Sequence, residues 1–318
     1  MSTWRPAALN AGWTYRHRVS GAEQGLSLLQ LLSSRWSHST PATWNQRLAD
    51  GELFCNGTVL RADQAASSGD ELVWERPPWL EPAVPDQWSV IHDDGDLLVI
   101  NKPSGLPVMP GGGFVAHTLT SLLADEARPV HRLGRFTSGL LLCARSRSSR
   151  ASLSAQLRIH HGAGDGLSKD YRALAATNPQ LQPGQPLPVS AAVMRHPHPK
   201  LGWVWGPPWE GPAPALSAHS SLTLLERRPE ADLLQVRIHS GRPHQIRIHL
   251  AWLNTPLLGD PLYLGEGRIH PEATPGDGGY LLHAHQLAGV RHQGTTLGFT
   301  AEPPAVLQTR TNSISREK

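Results

Sequence analysis

The spacing of hydrophobic residues near the start of the chain predicts helices first and strands afterwards. Leucines at positions 26, 28, 29, 31 and 32 follow helical spacing, and a second helical segment surrounds Trp44 and Leu48. The short apolar segment 53–55 then ends in Asn56-Gly57, a dipeptide typical of a tight hairpin turn. A closing strand is predicted at 72–74. Residues 1–76 are therefore expected to form a small helix pair with a hairpin sheet.

Prolines separate this segment from a longer, strand-rich region. Residues 77–87 contain four prolines between positions 77 and 85, which favours an extended linker over a helix. Residues 88–306 are expected to form the second domain, with strands at 97–100, 140–144 and 233–239 and a helix at 151–160. Residues 179–214 are expected to form a loop or an irregular hairpin, and residues 307–318 a disordered tail.

Charge is distributed unevenly along the chain. The formal net charge is only +3, yet residues 131–160 contain six arginines and no acidic residue. Residues 237–249 contain three arginines, three histidines and again no acid. Local arginine excess on a balanced chain is typical of a surface that binds phosphates, so we expect a phosphate-binding face.

Cysteine content and hydropathy exclude several classes of protein. The two cysteines, Cys55 and Cys143, form no pattern typical of a secreted disulfide framework or a zinc site. The first residues lack the apolar segment of a signal peptide, and no run of about 18 apolar residues occurs. From this pattern we expect a soluble, cytoplasmic protein.

Three segments combine residues suited to chemistry. A basic loop, HRLGRFTSG (131–139), precedes an apolar strand, where functional side chains are often held. The strand KDYRAL (169–174) carries Tyr171, whose ring could stack on an extruded base or fill the core. The segment SGRPHQIRIHLA (240–251) is a turn that leads into a basic helix. His283 and His285 have the spacing of zinc ligands on a strand, but no third ligand follows.

The order of these segments resembles the RluA-type family of RNA pseudouridine synthases. The matching motifs are DLLVINKPSGLPV, HRLGRFTSG, KDYRAL, SGRPHQIRIHLA, LLGDPLY and LLHAHQL, spread over about residues 90–300. The first 75 residues resemble, more loosely, a small RNA-binding domain shared with a ribosomal protein. The resemblance implies an α+β fold, with a long mixed, largely antiparallel sheet preceded by a small α/β RNA-binding domain.

The resemblance also implies an activity, which is the isomerisation of uridine to pseudouridine in structured ribosomal or transfer RNA. No cofactor and no metal are implied, and we expect a monomer. Tyr171 would stack on the flipped base, and Arg247 would pair with the catalytic carboxylate. The residues implied to line the cleft or bind RNA are His131, Arg132, Arg135, Arg242, His244 and Gln245.

One position departs from the family pattern. The motif places the catalytic aspartate where this chain has Gly134, and glycine offers no nucleophile. Another carboxylate could act instead, and Asp165, Asp170 and Asp260 lie nearest to the motifs. Alternatively, the chain is a catalytically silent RNA-binding homologue, or it carries out related chemistry that the motif does not reveal.

Overall fold

The chain folds into two compact units. A computed structural model describes residues 4–36, 39–124, 126–158 and 166–310. The smaller unit contains residues 7–82 and 198–202, and the larger contains the described residues of 4–6, 83–197 and 203–310. No helix among the described residues is long and apolar enough to cross a membrane.

The helices and strands of the described residues are as follows. The α-helices are α1 (Leu28–Arg35), α2 (Pro41–Ala49), α3 (Leu119–Leu122), α4 (Arg147–Arg158) and α5 (Gln245–Trp252). The strands are β1 (Trp4–Arg5), β2 (Ala8–Leu9), β3 (Trp13–Arg18), β4 (Leu53–Cys55), β5 (Thr58–Val59), β6 (Glu71–Arg76), β7 (Leu80–Glu81), β8 (Val84–Pro85), β9 (Ser89–Asp93), β10 (Leu97–Lys102), β11 (Arg128–Pro129), β12 (Thr137–Ala144), β13 (Ser168–Ala175), β14 (Leu187–Ser190), β15 (Met194–His198), β16 (Gly202–Gly206), β17 (His219–Arg227), β18 (Asp232–Ile238), β19 (Leu282–His292) and β20 (Thr295–Thr300).

The smaller unit is a helix pair packed on a four-stranded antiparallel sheet. Its strands lie in the order β3-β6-β4-β5, and the predicted hairpin joins β4 to β5. Helices α1 and α2 are capped at their N-termini by Ser27 and Thr40, whose hydroxyls accept backbone N–H bonds. Leucines from α1 and the buried Trp44 and Trp74 form a core of their own. The unit therefore has the architecture that the sequence predicts for residues 1–76.

The proline-rich segment 77–87 is not an unpaired spacer. Strand β7 pairs with β2 in the smaller unit, and β8 pairs with β1 in the larger one. Glu81 and Val84 are both fully buried. Prolines are compatible with these edge pairings because an edge strand can lack one N–H donor. The expected linker is thus part of two ordered strand pairs.

The larger unit is built on one mixed, largely antiparallel sheet. Its strand order is β14-β17-β18-β13-β19-β12-β10-β9, with β11 added to β12 and β20 to β19. Only the β12–β19 pairing is parallel among the described strands. Gly139 lies in that pairing with φ of +103°, where a side chain would collide with the backbone of Ala284. The fold class predicted from the motifs is confirmed.

The predicted strands and helix of this unit are present, with shifted ends. Helix α4 begins at Arg147, four residues earlier than predicted, because Asp96 binds the Ser146 N–H and hydroxyl just before it. Residues 159 and 160, the predicted end of that helix, lie outside the described residues. Segment 179–214 contains β14 and the β15–β16 hairpin.

The ordered chain extends past the predicted start of the tail. Leu307 is buried in a small apolar cluster, and the carbonyl of Gln308 accepts a bond from Arg228. Residues 307–310 therefore belong to the folded part, and residues 311–318 lie outside the described residues.

Candidate active site

Two adjoining cavities open in the larger unit, with volumes of about 350 Å³ and about 100 Å³. Arg132, Tyr171, Ile238 and Arg242 line both of them. The larger cavity adds residues of α4 and β13, and the smaller adds the loop around Gly134 and the start of α5. The motifs that stand far apart in the sequence thus meet in one cleft.

Tyr171 stands where the two cavities meet. It lies on β13, is half-buried, and its ring packs against both large cores of the unit. Desolvation by burial raises the pKa of Tyr171 to about 12, so its hydroxyl stays neutral at physiological pH. The ring therefore offers an uncharged, partly exposed face to a planar ligand.

Arg247 projects from α5 and pairs with Asp260. Its Nε and Nη2 donate to the two carboxylate oxygens at 2.6 Å and 2.7 Å, and both side chains are buried. Burial alone would lower the pKa of Arg247, but the hydrogen bonds and charge of Asp260 raise it. The carboxylate that pairs with Arg247 is therefore Asp260. It lies in the turn after Leu257, which forms an isolated β-bridge with Ala175.

Asp260 is held too firmly to act as a nucleophile. Besides the two arginine bonds, its Oδ1 accepts the backbone N–H groups of Leu262 and Tyr263 at 3.0 Å and 3.1 Å. A carboxylate with its charge neutralised and its lone pairs occupied is a structural anchor for α5.

The two other carboxylate candidates give no nucleophile in the described cleft. Asp170 is 1 % exposed and binds both Arg237, in a bidentate pair at 2.9 Å, and Gln235 at 3.0 Å. Asp165 lies outside the described residues. Asp170 therefore stabilises the pairing of β13 with β18 and is saturated there.

Neighbouring side chains crowd the position of Gly134. A Cβ placed on Gly134 would overlap the hydroxyl of Tyr280 and come within 3.3 Å of Thr137 Oγ1. The backbone at this position does not have the positive φ that favours glycine, so crowding by these two side chains, and not backbone strain, opposes a side chain here. A side chain at position 134 therefore requires the Tyr280 hydroxyl to shift.

The basic loop is tied down by hydrogen bonds to its neighbours. His131 Nε2 accepts the N–H of Leu142, and desolvation lowers the pKa of His131 to about 4, so the ring is neutral. Arg135 stacks on Phe114 and Phe136 and donates to the carbonyl of Gly105. Of the predicted RNA-binding residues in this loop, Arg132 is exposed in both cavities, His131 lines the larger one, and Arg135 lines neither.

Lys102 binds the same loop from its buried side. Its ammonium is fully buried and donates to the carbonyls of Pro103, Leu106 and Arg135 at 2.7, 2.8 and 3.1 Å. Three acceptors match the three N–H bonds of an ammonium group. Desolvation and the charge of Arg135 lower the pKa of Lys102 to about 7. Lys102 thus fixes the backbone next to Gly134.

His244 has a defined tautomer at the start of α5. The Tyr263 hydroxyl donates to the carbonyl of Trp205, so His244 Nδ1, 2.7 Å from that hydroxyl, must carry a proton. Nε2 is then the acceptor. Desolvation, with the charges of Arg247 and Arg132, lowers the pKa of His244 to about 3 and keeps the ring neutral.

Arg242 and Gln245 have different roles. Arg242 is half-buried, and its Nε donates to the carbonyl of Ser217. Gln245 is 3 % exposed, and its amide bonds Ser240, Ser220 and two backbone groups. Gln245 therefore shapes the turn into α5, while Arg242 lines both cavities.

His283 and His285 both take part in hydrogen bonds within the larger unit. His283 bonds the Ser138 hydroxyl and the Ala301 carbonyl, and His285 bonds the same carbonyl. Across the residues that the structure describes, no three His, Cys, Asp or Glu side chains are grouped as metal ligands would be.

Comparison with known proteins agrees with this geometry. Residues 96–252 match the RNA pseudouridylate synthase family. The chain is 39 % identical to an uncharacterized RNA pseudouridine synthase of Synechocystis, over 91 % of this chain and 99 % of that protein. It is 35 % identical to RNA pseudouridine synthase 5 of Arabidopsis thaliana, over 95 % of each chain.

The chain belongs to the RluA-type family of RNA pseudouridine synthases. A third relative, the ribosomal large subunit pseudouridine synthase D of Xylella fastidiosa, is 31 % identical over 81 % of this chain and 77 % of that protein. The solved structure of human RNA pseudouridylate synthase domain containing 4 has the same fold, with a TM-score of 0.52 and 21 % identity. It covers 69 % of this chain and 90 % of that one. These relatives favour the enzyme, an isomerase, over the catalytically silent alternative.

Two residues that shape this synthase's cleft, Lys102 and Tyr280, were absent from the predicted site, and Asp260 was named only as one of three carboxylates that could replace the aspartate. Lys102 lies inside a recognised motif, so its charge in apolar surroundings was a usable signal. Tyr280 precedes the last motif, and nothing in its local sequence indicates that it contacts a loop 143 residues away.

Proposed function

We propose that this synthase isomerises a uridine that has been flipped out of structured RNA into the cleft beside Tyr171. The Tyr171 ring would stack on the uracil, since it is the aromatic side chain among the four residues that line both cavities. Arg132 and Arg242, which flank it, would bind the adjacent phosphates. The observation that carries the proposal is this meeting of a neutral aromatic face and two arginines in one cleft.

Ribosomal RNA is the first substrate class to test. One relative is named for the large ribosomal subunit, and transfer RNA is the alternative. We propose that the enzyme acts in the cytoplasm as a monomer and, as the family resemblance implies, needs no metal or cofactor.

We also propose that the smaller unit binds RNA and folds alone. Its apolar core is complete within residues 19–74. A chain that starts at residue 83 keeps Val84 and should stay folded, whereas a start at 88 would remove that buried residue from the larger core. The truncated chain should bind RNA less tightly.

Tritium release tests the proposed function. In pseudouridine C5 carries the glycosidic bond, so RNA labelled with tritium at C5 of uridine must lose the label on isomerisation. Wild type and Tyr171→Phe should both bind transcribed ribosomal RNA. Tyr171→Ala should bind more weakly by the ~1–3 kcal/mol of one stacked base.

The same variants distinguish stacking from packing. If Tyr171→Phe and Tyr171→Ala bind RNA equally well and both unfold at lower temperature than wild type, Tyr171 is a core residue. Absence of tritium release by the wild type from ribosomal and transfer RNA alike would refute the proposed function itself.

A further inference from the structure

The hydroxyl of Tyr280 fills the place next to Gly134 where a side chain would begin. Tyr280 is 2 % exposed and lines the smaller cavity. Its ring packs edge-on against Phe136, at 6.0 Å between centroids. The Thr137 hydroxyl donates to Tyr280 Oη at 3.5 Å. The glycine and the tyrosine are thus complementary in space.

No carboxylate competes for this place among the described residues. The smaller cavity has no Asp or Glu in its described lining, and Asp260 is saturated by Arg247 and two backbone N–H groups. The side-chain hydroxyls that line it belong to Thr137, Tyr171 and Tyr280. Of these three hydroxyls, that of Tyr280 lies nearest to the position where a side chain of residue 134 would begin.

Arg247 is placed to stabilise a charge on Tyr280. Its guanidinium carbon lies 4.2 Å from the centre of the Tyr280 ring. A phenolate spreads negative charge into its ring, and a cation over the ring face stabilises that charge more than it does the neutral phenol. Tyr171 has no such cation over its ring among the described residues, and it has the position of the stacking residue.

From this geometry we propose that Tyr280 is the catalytic nucleophile of this synthase and takes the role of the missing aspartate. The inference rests on the proposed function. In the first step the Tyr280 Oη–C1′ bond forms while the C1′–N1 bond of the uridine breaks. The hydroxyl proton passes to the departing uracil, which leaves as the neutral base.

The second step restores the enzyme. After the uracil has turned, the electron pair of its C5–C6 double bond forms the bond from C5 to C1′. The C1′–Oη bond breaks, and its electron pair returns to the oxygen of Tyr280. The phenolate then takes the proton from C5, so the product keeps its proton on N1 and Tyr280 ends as a phenol. No oxidant, reductant or further reactant is required.

Removal of one oxygen tests the proposal. Full-length wild type, Tyr280→Phe and the control Tyr15→Phe, which loses a hydroxyl in the smaller unit, are assayed on transcribed ribosomal RNA tritiated at C5. Tyr280→Phe should lower kcat by more than about 1000-fold, as loss of a nucleophile does. Its KM, its RNA affinity and its Tm should match wild type, and Tyr15→Phe should keep its activity.

A double variant covers the case in which Tyr280→Phe is unstable. Phenylalanine vacates the space beside Gly134, so Gly134→Asp combined with Tyr280→Phe should fold and form pseudouridine through a carboxylate at this position. Activity of the folded double variant would support the place beside Gly134 as the position of the nucleophile. A second double variant, Gly134→Ala with Tyr280→Phe, that folds and keeps the wild-type rate would overturn the proposal.

The outcomes distinguish the proposed nucleophile from the proposed function. An active wild type whose rate survives Tyr280→Phe within about tenfold refutes the nucleophile and leaves the proposed function standing. A wild type that releases no tritium refutes both.

Discussion

At the scale of single residues, Gly134 and Tyr280 behave as one paired feature. The sequence shows a missing aspartate, and that alone suggests an empty position in the cleft. The structure shows that the position is filled by the Tyr280 hydroxyl. The pairing could not be predicted, because it depends on a contact between distant segments that neither motif encodes.

Gly134→Ala should destabilise the fold because the added methyl group meets the buried Tyr280 hydroxyl. Overpacking of this kind costs about 1–3 kcal/mol, which urea unfolding would measure. Gly276→Ala is a matched control, since Gly276 also lacks a positive φ and has open space around its Cβ position. Equal unfolding free energies for the two variants would mean that Tyr280 moves aside freely.

Asp260→Asn should be among the most destabilising single changes in the cleft. It leaves the Arg247 guanidinium buried without a counter-ion, which should lower the unfolding free energy by about 3–5 kcal/mol. Glu71→Gln, which breaks the exposed pair with Arg16, should cost less than about 1 kcal/mol. Similar losses for both variants would show that Arg247 reaches solvent.

At the scale of elements, the sequence predicted most helices and strands, but it did not predict which distant segments pair with one another. Helices α1 and α2 and strands β10, β12 and β18 follow from local apolar patterns, and helix α5 follows from the turn and basic segment at 240–251. The proline segment was misjudged because its strands β7 and β8 are stabilised by pairing with the first residues of the chain. Pairing between distant segments is not visible in local composition.

The loop and strands of the cleft make folding sensitive to acid. The pKa values of His131, His244 and His283 are lowered to about 4, 3 and 4, chiefly by desolvation. In the unfolded chain a histidine titrates near 6.5, so between about pH 6.5 and 4 the unfolded state binds more protons. The unfolding free energy should therefore fall as the pH is lowered through this range.

Urea unfolding between pH 7 and pH 4 measures this dependence. His131→Gln removes one of the three histidines. The slope of its unfolding free energy against pH should therefore correspond to up to one proton fewer taken up on unfolding than in the wild type. A wild-type unfolding free energy that stays level or rises towards pH 5 would contradict the assignment of these rings as neutral.

At the scale of the whole molecule, the order of the motifs was sufficient to predict the fold class and the family. The sequence also placed Tyr171, Arg242, His244 and Arg247 in one cleft, where the structure finds them. It could not predict which arginines remain available to a ligand, since stacking of Arg135 on two phenylalanines depends on tertiary packing.

RNA affinity should depend strongly on salt, because each neutralised phosphate releases counterions. Arg132→Ala and Arg242→Ala should each weaken binding and reduce the slope of log affinity against log salt by about 1. Arg145→Ala is the control, since Arg145 already forms a bidentate pair with Asp93. Salt-independent binding, or an equal effect of all three variants, would exclude the two arginines as phosphate ligands.

The central claim is that this chain forms pseudouridine although glycine stands at the family's aspartate position. The most direct measurement is chromatography of the nucleosides from transcribed ribosomal RNA after incubation with the purified full-length chain. We predict a pseudouridine peak that grows with time to about one residue per RNA at a single site, as expected for a base-flipping enzyme that recognises one structured target. RNA that is bound tightly but contains only uridine after prolonged incubation, with transfer RNA giving the same result, would contradict the account.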